Sequence, residues 1–415
     1  MNKVQVNSEI GRLNAVLLHR PGIEIERMTP QNAAKALYSD ILNKSIVDKE
    51  YNRFATVLSK WTKTYFVIDL LEEILKNDAV KTSLVEQSCK LDGCEFLIDE
   101  LLSHTPAQLA QELIEGFAYR QGIDPDQYRE DRYILRPLYN LFFTRDASSS
   151  VYNRVLIHNM ATDVREREIL IFKEIFTNYF GCETLSTRGY AMDARTEGGD
   201  VLIAREDTLF IGNGGRTNTK GIQYLAETFA KERSKFNILV QELPQNPESF
   251  IHLDMVFTFL GTHQCMAYEP LIMKNSYYSQ YKTTHIAIDN GKITYHEKPN
   301  FIEGTRDLGF DLEPVFCGGS DYWMQQREQW HSGANFFALG ECKVIGYQRN
   351  TNTIEAMAKA GFAVLDADDI CQGKVDMNDY EKFVATFAAS ELPRGGGGAR
   401  CMTMPINRNE VDWNK

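Results

Sequence analysis

The chain has 415 residues, 43% of them apolar and 25% charged, a balance that suits a folded globular protein with a sizeable core and excludes disorder as its main theme. Its 45 basic residues stand against 57 acidic ones, for a formal net charge of −12. That balance argues against nucleic acid or an anionic membrane as partner, since both need clustered cations.

Near the N-terminus, Asn14-Ala15-Val16-Leu17-Leu18-His19 reads as a strand opened by a polar residue. Residues 65–76 read as a helix or a strand followed by a helix. The segment 84–104 reads as helical from the spacing of Leu97, Ile98, Leu101 and Leu102, and 107–121 as a further helix begun by Thr105-Pro106. Three segments then follow that each open on an aspartate and run into β-rich sequence: Asp146, Asp200 and Asp254, recurring every 54 residues. Asn335 opens a looser fourth copy and Asn14 a fifth, while 165–180, 219–234 and 352–360 read as amphipathic helices between strands.

Five such units predict an α/β fold, a five-bladed pseudo-symmetric α/β propeller whose polar strand-opening residues converge on one site. Equal spacing is what favours this over the strand–turn–strand patterns of any α/β protein. The interval from Asn14 to Asp146 exceeds one repeat by 78 residues, and the helical patterns fill that excess. A small helical domain is therefore expected at 70–135, inserted into a catalytic domain made of 1–69 and 136–415. No apolar run nears the ~20 residues of a membrane span, and the opening residues lack the apolar run of a secretory signal. Eight scattered cysteines are too dilute for a disulfide framework, so a reducing, cytoplasmic compartment is expected.

The chemistry-bearing segments begin with Arg394-Gly395-Gly396-Gly397-Gly398-Ala399-Arg400-Cys401. Four consecutive glycines carry a large entropic cost, so the backbone there must be mobile or tightly approached. Cys401 beside Arg400 suits a nucleophile whose thiolate is favoured by nearby positive charge; a buried cysteine after a flexible loop is the alternative. His252 and Asp254, two apart on an expected strand, would enter one site from one face, the imidazole serving as general acid and base. The same pair also fits a core histidine beside a helix cap, or half of a metal site. Glu197-Gly198-Gly199-Asp200 offers two carboxylates beside glycines that permit close approach, and Thr144-Arg145-Asp146 adds another; both also fit surface turns. Carboxylates gathered around a cysteine oppose thiolate formation unless a cation lies between them, and a planar guanidinium fills that role. Asp366-Ala367-Asp368-Asp369 reads as a solvated turn, and Met402 and Met404 as core.

Taken together, Asn140-x-x-Phe143-Thr144-Arg145-Asp146, Glu197-Gly198-Gly199-Asp200, His252-Leu253-Asp254-x-Val256-Phe257 and Cys401-Met402-Thr403-Met404-Pro405 resemble the motif set of arginine deiminases. The opening from Ser8 and Glu9 to Gly22, Arg327-Glu328-Gln329-Trp330 and Tyr347-x-Arg349-Asn350 fit as well, so the resemblance runs in family order over nearly the whole chain. It implies a five-bladed α/β propeller with a helical insertion, and hydrolysis of L-arginine to L-citrulline and ammonia. By the resemblance, Cys401 attacks the guanidinium carbon, and His252 protonates the departing ammonia before activating water. Asp146 and Asp254 grip the guanidinium, and Glu197 does the same while orienting His252. Asn140 and Phe143 line the α-carbon end, and Arg165 and Arg216 take the α-carboxylate, with Arg167 a close neighbour of the first. No metal or organic cofactor is implied, and a homo-oligomer is the expected assembly. Many family members carry an arginine five residues before the cysteine, where this chain has Gly396; Arg394 and Arg400 are the nearby cations. The rival readings are a hydrolase for another guanidine such as agmatine, an amidinotransferase, a metallohydrolase, and a non-catalytic arginine-binding protein.

Overall fold

The computed structural model describes residues 3–118, 133–274 and 276–413. Of six sheets among the described residues, one is the two-stranded pair Phe117–Ala118 and Tyr133–Leu135, and four repeat one plan: a short antiparallel hairpin whose second strand gains a parallel neighbour further along the chain. Ser148–Val151 and Arg154–Ile157 are joined by Thr184–Ser186; Val201–Arg205 and Thr208–Asn213 by Lys235–Glu242; Phe257–Phe259 and Gln264–Ala267 by Glu313–Phe316. Phe337–Gly340 and Lys343–Tyr347 gain Phe383–Phe387, with Ala363–Asp366 at the edge, and Thr283–Asp289 and Lys292–Lys298 extend the second of these sheets. A fifth sheet is assembled from distant parts of the chain. Leu13–Leu18 lies between Lys63–Phe66, parallel to it, and Met404–Arg408, antiparallel. Its central strand is almost wholly apolar and buried, as expected where both faces are covered.

Helices link the parallel partners, and local sequence fixes their ends. Asn43 accepts from the Ser45 amide to start Lys44–Trp61, and Asn218 from the Gly221 amide to start Thr219–Glu232. The helical stretch after residue 66 comprises Val67–Ile74, Asp78–Asp92, Ile98–Ser103 and Pro106–Glu115, the last opened by a Thr105/Gln108 capping box. Part of the expected insertion, 119–132, lies outside the described residues. These helices share one apolar core with Ala15 and Leu17, Val155 and Ile157, and Ile169–Phe172. Among the described residues no helix is long and apolar enough to cross a membrane.

Three local expectations need correction. The segment 84–104 is broken, because Gly93 ends the helix in the left-handed region (φ 67°). Asp366 is a helix cap, accepting from the Asp368 amide, and the residues after it form the helix Ala367–Cys371 instead of a solvated turn. His252 and Asp254 are not on a strand: Leu253–Met255 is a 3-10 turn and the strand starts at Phe257. The turn forms because Asp200 Oδ1 accepts the Leu253 amide at 2.9 Å while the Met255 amide closes back on the His252 carbonyl at 3.2 Å.

This plan delivers polar residues at corresponding places. Asp146, Glu197 with Asp200, His252 with Asp254, and Asn335 each sit in the turn before a hairpin, and Cys401 just before Met404–Arg408.

Candidate active site

Cys401 is 3% exposed, in the turn that follows the short helix Leu392–Gly395. The glycines before it answer to space more than to mobility. A Cβ on Gly397 would lie 2.4 Å from the Phe143 ring, and one on Gly398 2.6 Å from Asn335 Oδ1, while Gly396 takes φ +87°. Asn335 gathers the loop: its Oδ1 accepts the Arg400 and Cys401 amides at 2.9 and 3.2 Å, and its Nδ2 donates to the Asp254 carbonyl at 3.1 Å. The Tyr347 hydroxyl donates to the Gly397 carbonyl at 2.9 Å from the opposite side.

The Asp254 turn therefore meets the cysteine loop, and Cys401 Sγ lies 3.9 Å from Asp254 Oδ2. Gln329 braces that turn, donating to the carbonyls of Ser249 at 2.7 Å and Met255 at 3.3 Å. His252 Nε2 meets Glu197 Oε2 at 2.9 Å, and its Nδ1 lies 3.8 Å from Asp146 Oδ1. The imidazole is fully enclosed. Burial opposes its charge, yet Asp146, the hydrogen bond to Glu197 and Asp200 outweigh that and hold it at about 9. In return Glu197, despite burial, falls to about 2 through His252 and Arg216. Burial lifts Asp200 to about 7. Burial first, then Asp254 and Asp146, push the Cys401 thiol well above its ordinary range. Burial and the carboxylates thus favour a neutral thiol and a charged imidazole in one cavity.

Asn140, Phe143, Asp146, Arg165, Arg216, His252 and Cys401 all line one cavity of about 880 Å³. Glu197 and Asp254, each 0% exposed, stand behind its wall. Two carboxylate oxygens, Asp146 Oδ1 and Asp254 Oδ1, are buried and accept no hydrogen bond from the described residues. A cation with planar donors is what such a pair of oxygens would receive. Asn140 turns its side chain away, donating to the Ala36 carbonyl at 2.8 Å, and Phe143 packs on Phe142 with ring centroids 4.0 Å apart.

The arginines divide by geometry. Arg165 is in the cavity wall, but its guanidinium already serves Asp146 Oδ2 at 2.6 Å, Glu168, and the carbonyls of Asn140 and Phe143. Arg167 points elsewhere, to Asp92 and the Leu113 carbonyl. Among the described residues Arg216 makes only a long ion pair, 3.7 Å, with Glu197 Oε1. Of the two cations near Gly396, Arg394 stays at the cavity mouth, paired with Asp40 and Glu391, whereas Arg400 is 1% exposed and turned inward to Glu9 and Asp254. Arg400 is therefore not free to replace the missing side chain. No group of three or more His, Cys, Asp or Glu with metal-holding geometry occurs among the described residues. A second cavity of about 810 Å³, beside Glu313 and Lys359, contains none of this chemistry.

Sequence reasoning missed Asn335 and Glu168 as members of the site, although signals existed. Asn335 opens the fourth repeat, and Glu168 stands three residues after Arg165 on one helix, the spacing of a facing pair.

A family model for arginine deiminase matches residues 35–408. The chain belongs to the arginine deiminase family. It is 30% identical to the arginine deiminase of Borreliella afzelii over 99% of both chains. It is 31% identical to that of Mycoplasma capricolum subsp. capricolum, over 99% of this chain and 98% of the relative. Among solved structures, the N-terminal domain of ArgZ bound to product, an arginine dihydrolase, has a similar fold, with TM-score 0.55 at 13% identity over 95% of this chain and 97% of that one. A dimethylarginine dimethylaminohydrolase shares the fold at TM-score 0.52 and 12% identity, over 94% and 99%.

For a member of this family the glycine pair before Asp200 has a steric purpose. A Cβ on Gly199 would lie 2.4 Å from His252 Nδ1, so Gly199→Ala must displace the imidazole. Citrulline turnover by that variant is expected to fall ~100-fold, the scale set by a 1 Å misplacement of a reacting group, with the circular dichroism spectrum retained. Wild-type turnover would show that the ring is not held by this contact.

Proposed function

We propose that this chain hydrolyses L-arginine to L-citrulline and ammonia through a covalent amidino-thioether on Cys401. The observation that carries the reading is one cavity lined by the Cys401 thiol, the His252 imidazole and Asp146, with Asp254 directly behind the thiol and one oxygen of each carboxylate buried without a hydrogen bond from the described residues. In this reading the substrate guanidinium enters between Asp146 and Asp254, and its positive charge favours the Cys401 thiolate, whose proton leaves through the cavity to solvent and is matched by the one that later turns ammonia into ammonium. The thiolate adds to the guanidinium carbon. His252, already protonated, gives its proton to the departing nitrogen, which leaves as ammonia. The neutral imidazole, pinned by Glu197, then takes a proton from water as hydroxide adds to the thioether carbon; the C–S bond breaks, the new hydroxyl's proton passes to the sulfur, and citrulline leaves with His252 protonated and the resting thiol restored.

Arg216 is assigned to the substrate carboxylate because its one ion pair is long, and Arg165 to holding Asp146 while closing the same end of the cavity. Asn140 and Phe143 border that end. We further infer that the five sheets of three or more strands are blades of a propeller with the cavity at its centre. The polar turn residues that precede each hairpin support this. The helical stretch at 70–135 is then an insertion into a catalytic domain of 1–69 and 136–415. A cytoplasmic location and a homo-oligomeric assembly belong to the same reading; exposed Tyr277, Tyr322 and Trp323 supply apolar surface for the latter.

A colorimetric citrulline assay on the purified protein, with arginine or agmatine and with or without an acceptor amine, tests the reaction. Free ammonia and citrulline from arginine alone are expected. Product only in the presence of the amine would make it a transferase. Arg216→Ala is expected to raise KM for arginine ~10–100-fold, the worth of a charge-assisted hydrogen bond, with little change for agmatine, which lacks the carboxylate. Equal effects on both substrates would remove Arg216 from that role.

A further inference from the structure

Beneath Cys401 lies a buried set of charges that the reaction as described leaves without a task. Arg400 Nε donates to Glu9 Oε2 at 3.0 Å, and its Nη2 to Glu9 Oε1 and the Val201 carbonyl, both at 3.1 Å. Its Nη1 donates to Asp254 Oδ2 at 2.8 Å. Glu9 is itself fixed, its Oε1 accepting the Ile203 amide at 3.1 Å. Two more buried guanidiniums adjoin. Arg145 Nε reaches the Arg400 carbonyl at 3.4 Å, and Arg408 donates to the carbonyls of Gly11 and Ala338 at 2.8 and 2.7 Å. Burial, with the neighbouring Arg400 charge, lowers Arg145 to about 9 and Arg408 to about 10, whereas Glu9 and Asp254 outweigh burial at Arg400 and raise it. Of the three cations, Arg400 is the one that both carboxylates hold.

Asp254 Oδ2 thus faces two donors, the Arg400 fork at 2.8 Å and the Cys401 thiol at 3.9 Å, while Oδ1 has no partner among the described residues. A rigid guanidinium gripped from behind by a second carboxylate fixes the rotation of the carboxylate in front of it.

We propose that Arg400, anchored by Glu9, is a positioning residue that holds the Asp254 carboxylate turned so that Oδ1 receives the substrate guanidinium. This rests on the arginine-hydrolysing reading of the cavity.

The test is to measure kcat and KM for L-arginine on the wild type, Arg400→Met, Arg400→Lys and Glu9→Gln, with circular dichroism on each. Arg400→Met is expected to raise KM ~10–100-fold, more than kcat falls. Arg400→Lys keeps the charge without the fork, so its KM should lie between those of the wild type and Arg400→Met. Glu9→Gln loosens the grip behind Arg400 and should raise KM ~3–10-fold with kcat little changed. A purely structural role would lower the unfolding temperature of all three and leave KM of the folded fraction at the wild-type value, and that outcome overturns the proposal. If Arg400→Met does not fold, Glu9→Gln decides: a raised KM supports the assignment, an unchanged one refutes it. Wild-type protein that forms no citrulline overturns the reaction and this proposal with it, whereas active wild type with unmoved variants overturns the proposal alone.

Discussion

Cys401→Ala is expected to abolish citrulline formation, by a factor of ~10⁴ or more, and to leave L-arginine binding measurable by titration calorimetry. The residue is 3% exposed and its neighbours are held by other groups: Asn335 by the loop amides, Asp254 by Arg400, His252 by Glu197. Loss of one sulfur therefore leaves the guanidinium subsite standing. It also removes a thiol that Asp254 and Asp146 hold in the neutral form, so it relieves no repulsion between resting anions. The complementary measurement is mass spectrometry on wild-type protein quenched in acid during turnover, where an amidino adduct on the peptide containing Cys401 is expected. Normal citrulline production by the alanine variant would refute covalent catalysis at this residue.

Arg165→Met is expected to cost ~3–5 kcal/mol of stability, the range for removing one partner of a buried ionic group. Arg165 lies between Asp146 and Glu168, all three nearly sealed from solvent, and Glu197 is a further buried carboxylate in the same wall. Burial already holds Glu168 above its ordinary value. Without the guanidinium, Glu168 would be pushed up further in the folded state. A carboxylate whose folded-state pKa lies above its unfolded one stabilises the fold at low pH and loses that contribution as pH rises. The deficit of the variant should therefore be larger at pH 8 than at pH 5 in denaturant unfolding. Adding Glu168→Gln should recover part of it, because the orphaned charge is gone. A deficit below ~1 kcal/mol at pH 8 would mean that Arg165 is an exposed-type pair and not the keystone of this wall.

Much of this arrangement was legible from spacing. Asp146, Asp200 and Asp254 do precede hairpins, and the helices 219–234 and 352–360 were placed within two residues of Thr219–Glu232 and Thr351–Lys359. What spacing could not reveal is direction. His252 and Asp254 were read as neighbours on one strand face; they reach the cavity from a 3-10 turn because of a bond from Asp200, 53 residues away along the chain. Alternation of period two over three residues does not distinguish those backbones. Arg400 was read as a cation flanking Cys401, yet consecutive residues in a turn diverge, and its side chain ends at Glu9, 391 residues away. Asn335 carried a signal only as the opener of a repeat; that it ties two loops together follows from contacts to Asp254 and Cys401, which no local pattern encodes. The motif Arg327-Glu328-Gln329-Trp330 resembled the family without an assigned task, and Gln329 turns out to brace the His252 turn.

The sheet that unites Leu13–Leu18 with Met404–Arg408 has a bearing on biosynthesis. The nucleophile sits three residues ahead of a strand whose partner lies far back in the sequence. Until residues 404–408 emerge and dock, sheets built wholly from earlier residues can already be complete, but the cysteine loop is tied down on one side only. Catalytic competence thus waits on the closing of that sheet, and a polypeptide cut ahead of residue 404 would be inert toward the amino-acid pool that feeds its own synthesis.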